Sequence, residues 1–276
     1  MNSSWILSIT TFGYALAGIF YIAGVIFKKP TAYRIGFWAL ILTVAGLTIG
    51  IGLRWIESYQ LGIGHAPLSG LYESLVFFAW VLGITQIWIL KKYDNPILAA
   101  FVVQLAFLLL AYASLGTDAK IQPLLPALQS NWLIVHVATC FIGYAAFAIA
   151  FAISILYLIK SKKEANKEKP SRLPDLETIE ALTYQLVMFG FLFLTAGIIT
   201  GAVWANSAWG RYWGWDPKET WSLITWFIYA ALLHVHTMRG WRGKRIAWLS
   251  ILGFIAVLVT YFGVNYLSSL HSYGAL

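Results

Sequence analysis

Eight long apolar windows dominate this sequence, at roughly residues 5–27, 33–56, 71–90, 96–115, 132–159, 181–203, 221–237 and 246–267. Most can cross a hydrocarbon core of about 30 Å as helices, and the short seventh can borrow Glu219 and Thr220 and end near Met238. Hydrocarbon offers no hydrogen bonds to a backbone, so such segments must pair their own amides and carbonyls. The expected fold is an all-α, polytopic membrane helix bundle of about eight transmembrane helices, a single integral domain over 1–276. Composition agrees, because 11% charged residues against 60% hydrophobic is far from a water-soluble domain.

Orientation follows from the lysines and arginines. Lys28, Lys29 and Arg34, then Lys91 and Lys92, then six between Lys160 and Arg172, then Arg239, Arg242, Lys244 and Arg245 all fall in alternate connections. The other connections hold only Arg54, Lys120, Arg211 and Lys218. The positive-inside rule places the first set in the cytoplasm, or the stroma of a plastid, and puts both termini on the outer side. The formal charge of +8 therefore sets topology. With no basic face or binding motif, it gives no reason to expect a nucleic-acid partner. The first apolar segment follows only Met-Asn-Ser-Ser, without a basic leader or small-residue cleavage site, and reads as a retained helix. The polar stretch 160–180 reads as a cytoplasmic linker, and no internal repeat stands out.

Chemistry collects on the outer side. Residues 57–70, 116–131 and 204–220 and the tail from 268 to 276 all belong there on this topology. Between Trp204 and Trp226 lie six of the fourteen tryptophans, around Trp209-Gly-Arg-Tyr-Trp-Gly-Trp-Asp-Pro-Lys-Glu-Thr-Trp221. Interfacial anchoring needs one or two rings per helix end, so the excess suits a flat hydrophobic partner. His136 sits one turn inside the fifth helix and His271 in the tail, both at the outer level. Two neutral imidazoles approaching a porphyrin from opposite faces would ligate six-coordinate iron, while the tryptophan-rich loop shields the macrocycle.

The remaining polar residues leave alternatives open. His234 lies about 20 Å from the outer end of the seventh helix, counted from Thr220, where an ionisable group needs an internal partner. It is a second haem ligand or part of a passage route; His236, two positions on, reads as structural or interfacial. His65, in the first outer loop, cannot reach that depth. Asp216 caps the following helix or accepts from Arg211, and Glu219 suits that helix's positive end. Arg211 and Lys218 are candidates for the haem carboxylates. Glu73 orients a ligand or a helix. Cys140 is the sole cysteine, so the chain forms no internal disulfide and is no two-thiol reductant.

These features together resemble the CcsA (ResC-like) family of cytochrome c biogenesis proteins, within the tryptophan-rich (WWD) haem-handling membrane proteins. The resemblance rests on the Trp209–Trp221 run, on Leu128-Gln-Ser-Asn-Trp-Leu-Ile-Val-His136, and on Gly64-His-Ala-Pro-Leu-Ser-Gly-Leu-Tyr-Glu-Ser74. Tyr261-Phe-Gly-Val-Asn265, followed by Leu270-His-Ser-Tyr-Gly274, completes it. It implies that haem b is carried as a bound substrate. Haem is presented at the outer face for thioether attachment to the Cys-x-x-Cys-His segment of apocytochrome c, within a haem lyase complex.

His136 and His271 then match the two external iron ligands and carry the catalytic role. Trp209, Trp213, Trp215, Asp216 and Trp221 match the haem-binding loop, and His234 the histidine within the membrane. The implied partners are a CcsB/ResB-like membrane protein, apocytochrome c and, indirectly, thiol-reducing proteins. The implied location is a bacterial plasma membrane or a thylakoid membrane. A haem exporter without synthase activity, a b-type electron-transfer subunit and an assembly scaffold remain as rivals.

The topology is testable in a Cys140→Ser background. A membrane-impermeant maleimide should label Asp118→Cys on intact cells and Lys163→Cys only after permeabilisation; the reverse pattern would invert the assignment of sides.

Overall fold

The computed structural model describes residues 3–93, 95–166 and 173–266. Among them are eight long helices: α1 Ser3–Ile26, α2 Pro30–Gln60, α3 Leu71–Tyr93, α4 Pro96–Gly116, α5 Asn131–Ala165, α6 Leu176–Trp209, α7 Pro217–Met238 and α8 Lys244–Tyr261. Short 3₁₀ turns occupy Pro126–Leu128 and Gly263–Tyr266. Seven of the long helices have the length and apolarity to cross a membrane. The exception is α7, whose 22 residues are enough in length but include Lys218, Glu219, His234 and His236. The protein is thus an all-α polytopic membrane bundle with seven to eight candidate spans.

Helix boundaries follow local chemistry. Asn95 caps α4 by accepting from the amides of Ile97 and Leu98, with Pro96 at the first helical position, where a missing N–H costs nothing. Asp175 caps α6 through the Thr178 amide at 2.6 Å. Gly210 closes α6 at φ +72°, a left-handed conformation that glycine adopts without steric penalty. Much of the stretch 160–180 is helical, because α5 continues to Ala165 and α6 starts at Leu176. Lys160 bridges these ends, its ammonium donating to the carbonyls of Leu173 and Pro174 and pairing with Glu164 at 3.4 Å.

Packing divides the chain into two units, Met1–Leu128 and Gln129–Leu276. In the first, α1 lies against α2 and α4, and α3 against α2 and α4. In the second, α5 packs along α6 and against α8, and α7 packs against α8 and more sparsely against α6. Small residues let α5 and α6 approach closely. A Cβ on Gly190 would lie 2.7 Å from the Phe147 ring and 3.0 Å from the Gly143 carbonyl, so a larger side chain would force the helices apart.

Buried charge in the first unit is paired. Arg54 Nε donates to Glu73 at 2.8 Å, with side-chain exposures of 3% and 5%. The same carboxylate accepts from the amide and hydroxyl of Ser69, and the guanidinium lies 5.1 Å from the centre of the Tyr72 ring. Glu73 therefore locks the end of the 57–70 connection onto α2 and α3. His65 completes this loop: its amide donates to Ser58 Oγ, and its ring nitrogens face the carbonyls of Ala66 at 2.8 Å and Gln122 at 3.0 Å.

Arg54→Met leaves Glu73 buried without its cation and should lower stability by about 3–5 kcal/mol. Adding Glu73→Gln should recover most of that loss, since no uncompensated charge remains. Unfolding of both variants in detergent checks it, and equal losses would show the pair to be energetically incidental.

Candidate functional site

The second unit gathers most of the sequence's candidates. His136 projects from the first turns of α5, whose start is capped by Ser130 accepting from the Trp132 amide at 3.3 Å. Its Nδ1 lies 2.7 Å from the carbonyl oxygen of Gly197 on α6. A carbonyl can only accept, so Nδ1 carries the proton and Nε2 keeps a lone pair. No described residue hydrogen-bonds to Nε2. That is the tautomer of a metal-binding imidazole with its second nitrogen held by the protein. Beside it, Cys140 is buried, its Sγ 3.7 Å from Nδ1.

The ring is fixed from α6 on two more sides. A Cβ on Gly201 would fall 2.6 Å from Nδ1 and 2.7 Å from Cε1, so this glycine leaves the volume the imidazole occupies. The Trp204 indole is buried and stacks on His136 with centroids 6.0 Å apart and planes within 13°. Trp204 in turn meets Trp209 at 4.9 Å, tilted 64°. An aromatic line thus runs from the end of α6 to His136.

Beyond Gly210 the loop folds back on the start of α7. Asp216, buried, caps α7 by accepting from the Lys218 amide at 2.8 Å. Glu219 closes the reciprocal box, accepting from the amides of Asp216 at 3.1 Å and Gly214 at 2.7 Å, with Pro217 opening the helix. Asp216 therefore acts as a cap. The Arg211 guanidinium covers Gly214, where a Cβ would lie 2.8 Å from its Nε.

This bracing holds Trp215 at φ +57°, a conformation costly for a bulky side chain. The residue is 69% exposed, and its ring stands 87° to that of the half-buried Trp213 at 5.8 Å. Trp221 is half-buried on the first turns of α7, and Trp226 donates to Thr195 Oγ1 at 2.9 Å. Lys218 is half-buried in the first turn of α7.

The two histidines of α7 part company. His236 is held by the protein: it stacks on Tyr184 at 4.0 Å, and its Nε2 faces Glu180 at 3.8 Å. Glu180 also accepts from the Gly243 amide at 2.7 Å and faces Arg242 at 3.6 Å. His234 points outward and is exposed, on the same face as Ile224, Phe227 and Met238. His271 lies outside the described residues. Among the described residues, no three His, Cys, Asp or Glu side chains converge as a metal cluster.

Of the three residues that secure His136, Gly197 and Gly201 were not singled out from the sequence, and Trp204 was named only as the first ring of the tryptophan-rich cluster. Their spacing of four and three places them on one face of α6, a pattern legible once the partner helix is known.

The profile of the family described as "Cytochrome C assembly protein" matches residues 68–271. The cytochrome c biogenesis protein CcsA of Guillardia theta is 40% identical over 98% of this chain and 95% of its own. CcsA of Parasynechococcus marenigrum (strain WH8102) is also 40% identical, over 87% of each chain. Among solved structures, the cytochrome c haem lyase CcmF superposes with a TM-score of 0.75 at 17% identity. That match covers 95% of this chain but 47% of CcmF, and it is a likeness of fold. With a family profile across most of its length and relatives of this identity, the chain belongs to the CcsA family of cytochrome c biogenesis membrane proteins.

Proposed function

We propose that this chain carries haem b as a substrate and presents it at the outer face of the membrane for attachment to apocytochrome c. The observation that carries the reading is His136: a buried carbonyl holds its Nδ1 proton and leaves Nε2 free, on a ring stacked against Trp204 of α6. His271 supplies the opposite axial ligand, and the pair performs the catalytic role of holding and releasing the iron. This reading takes eight spans with both termini outside, residues 204–220 on the outer face and residues 160–180 on the cytoplasmic side.

The ring geometry divides the aromatic work. The plane of an axial imidazole contains the iron–nitrogen bond, so the porphyrin stands perpendicular to it. Trp204, nearly parallel to His136, therefore braces the ligand and leaves the macrocycle to other rings. Trp209, Trp213, Trp215 and Trp221 cover and orient the porphyrin, with Asp216 fixing the turn that aims them. Arg211 and Lys218 are the cations available to its two carboxylates.

Attachment needs no oxidant. Each thiol of a reduced Cys-x-x-Cys-His segment adds across one vinyl group: sulfur bonds to the carbon next to the ring, and hydrogen goes to the terminal carbon. The histidine of that segment displaces one protein ligand, and the loop supplies proximity and orientation. His234, exposed on α7, is suited to a haem ligand whose opposite number comes from a CcsB/ResB-like partner, and thiol-reducing proteins keep the substrate cysteines reduced. The host is a bacterial plasma membrane or a thylakoid membrane. The outward His234 also suits a haem exporter that leaves attachment to other proteins, and the reporter below separates the two.

Purified with its partner, the chain should show a haem absorption spectrum that weakens in His136→Ala or His271→Ala and partly recovers with imidazole. Gly201→Ala should displace the His136 ring and lower haem retention by about tenfold. Unchanged haem content and spectrum in the double histidine variant would sink the site. Covalent haem on a coexpressed Cys-x-x-Cys-His reporter tests attachment, and haem export without that product would favour the exporter.

A second expectation concerns Trp215. Glycine accepts φ +57° freely, so Trp215→Gly should leave folding stability unchanged or raise it by up to about 1 kcal/mol. Haem retention should fall in the same variant, as expected where strain is held for binding. A loss of stability matching the loss of haem would make Trp215 a structural residue only.

A further inference from the structure

At the opposite end of the second unit, the turn from α7 to α8 carries four exposed cations in seven residues: Arg239, Arg242, Lys244 and Arg245. Arg242 is committed to the fold, donating to the carbonyls of His236 at 2.7 Å and Trp241 at 2.9 Å and facing Glu180. Among the described residues, no carboxylate pairs with Arg239, Lys244 or Arg245. Glu180, the one carboxylate among the described residues that pairs at this turn, is already shared between Arg242, His236 and the Gly243 amide.

The surface next to these cations has a definite order. The Arg245 guanidinium lies 5.2 Å from the centre of the Trp241 ring, which gives one cation a fixed platform. Lys244, Trp248, Leu252 and Ile255 follow one another on one face of α8 at spacings of four, four and three, and all are exposed. Those eleven steps cover about 16 Å. One leaflet of a hydrocarbon core is about 15 Å deep. Charge, indole and aliphatic side chains thus succeed one another over the length of one lipid molecule, with charge at the end where α8 enters the membrane.

We propose that this face binds an anionic phospholipid, its phosphate held by Arg239, Lys244 and Arg245, its glycerol region against Trp248 and an acyl chain along Leu252 and Ile255. The site is separate from the His136 site and does not depend on haem. The positive-inside rule accounts for the number of cations on this side. The lipid accounts for three that have no carboxylate partner among the described residues and for the apolar track leading away from them.

The test uses the full chain in mixed phosphatidylglycerol and phosphatidylcholine vesicles, with retained lipids read by native mass spectrometry after release into detergent. Phosphatidylglycerol should be retained over phosphatidylcholine, and Arg239→Gln/Lys244→Gln/Arg245→Gln should cut that preference by at least about fivefold, the effect of losing even one cation near an anionic surface. Trp241→Leu keeps every charge, and so the topology signal, and should cut it about two- to fivefold by removing the platform. Should the triple variant fail to fold, Trp241→Leu still decides. Equal retention of the two lipids, or an undiminished preference in Trp241→Leu and the triple variant, would overturn the proposal. So would displacement by soluble glycerophosphoglycerol, which would mark a site for a free anion.

Discussion

The absence of water from the bilayer core governs this structure down to its candidate site. Every backbone amide in a span must find a carbonyl in its own helix, which makes the chain helical. Side-chain hydroxyls obey the same demand locally: Thr10, Thr43, Thr85, Thr183, Thr195 and Thr260 each donate to a carbonyl three or four residues back. His136 meets it across a helix interface, by donating Nδ1 to the Gly197 carbonyl. The hydrogen bond that satisfies a polar group at the helix end also leaves the opposite nitrogen basic. Stability and the availability of that second nitrogen thus rest on one contact.

Close approach of α5 and α6 makes that contact possible. With glycines on both sides the helices come near enough for an imidazole on one to reach a main-chain carbonyl on the other. The loop after α6 is rigid for a related reason: Asp216 and Glu219 take up amides at the start of α7 and in the loop, so its tryptophans are held by main-chain hydrogen bonds. Trp215 at φ +57° is the local cost of that bracing. A preformed aromatic surface loses less entropy on meeting a flat partner than a mobile loop would.

Much of this was legible in the sequence because it rests on local rules. The apolar windows mark the helices to within a few residues, although α5 and α6 run well past the lengths needed to span. Asp-Pro-Lys-Glu reads directly as a capped helix start, and His136 is a candidate from its place one turn into a span. Glu73 was readable only as an orienting group, since its partner Arg54 lies nineteen residues away. Of the two α7 histidines, the sequence reads His236 as structural or interfacial, in agreement with its contacts, and His234 as a haem ligand or part of a passage route in need of an internal partner, whereas the structure leaves it exposed. Their environments, Tyr184 and Glu180 for one and an open face for the other, required neighbouring helices.

The sequence by itself determined that this chain is a membrane bundle with a tryptophan-rich loop, because hydropathy, charge asymmetry and capping act within a few residues of themselves. Only the tertiary structure decided which nitrogen of His136 is free, that Gly201 and Trp204 hold its ring, and that packing divides at Leu128. Those outcomes depend on the rotation and approach of one helix against another. Interhelical packing sets that register through contacts between residues some sixty positions apart, and no local pattern encodes it.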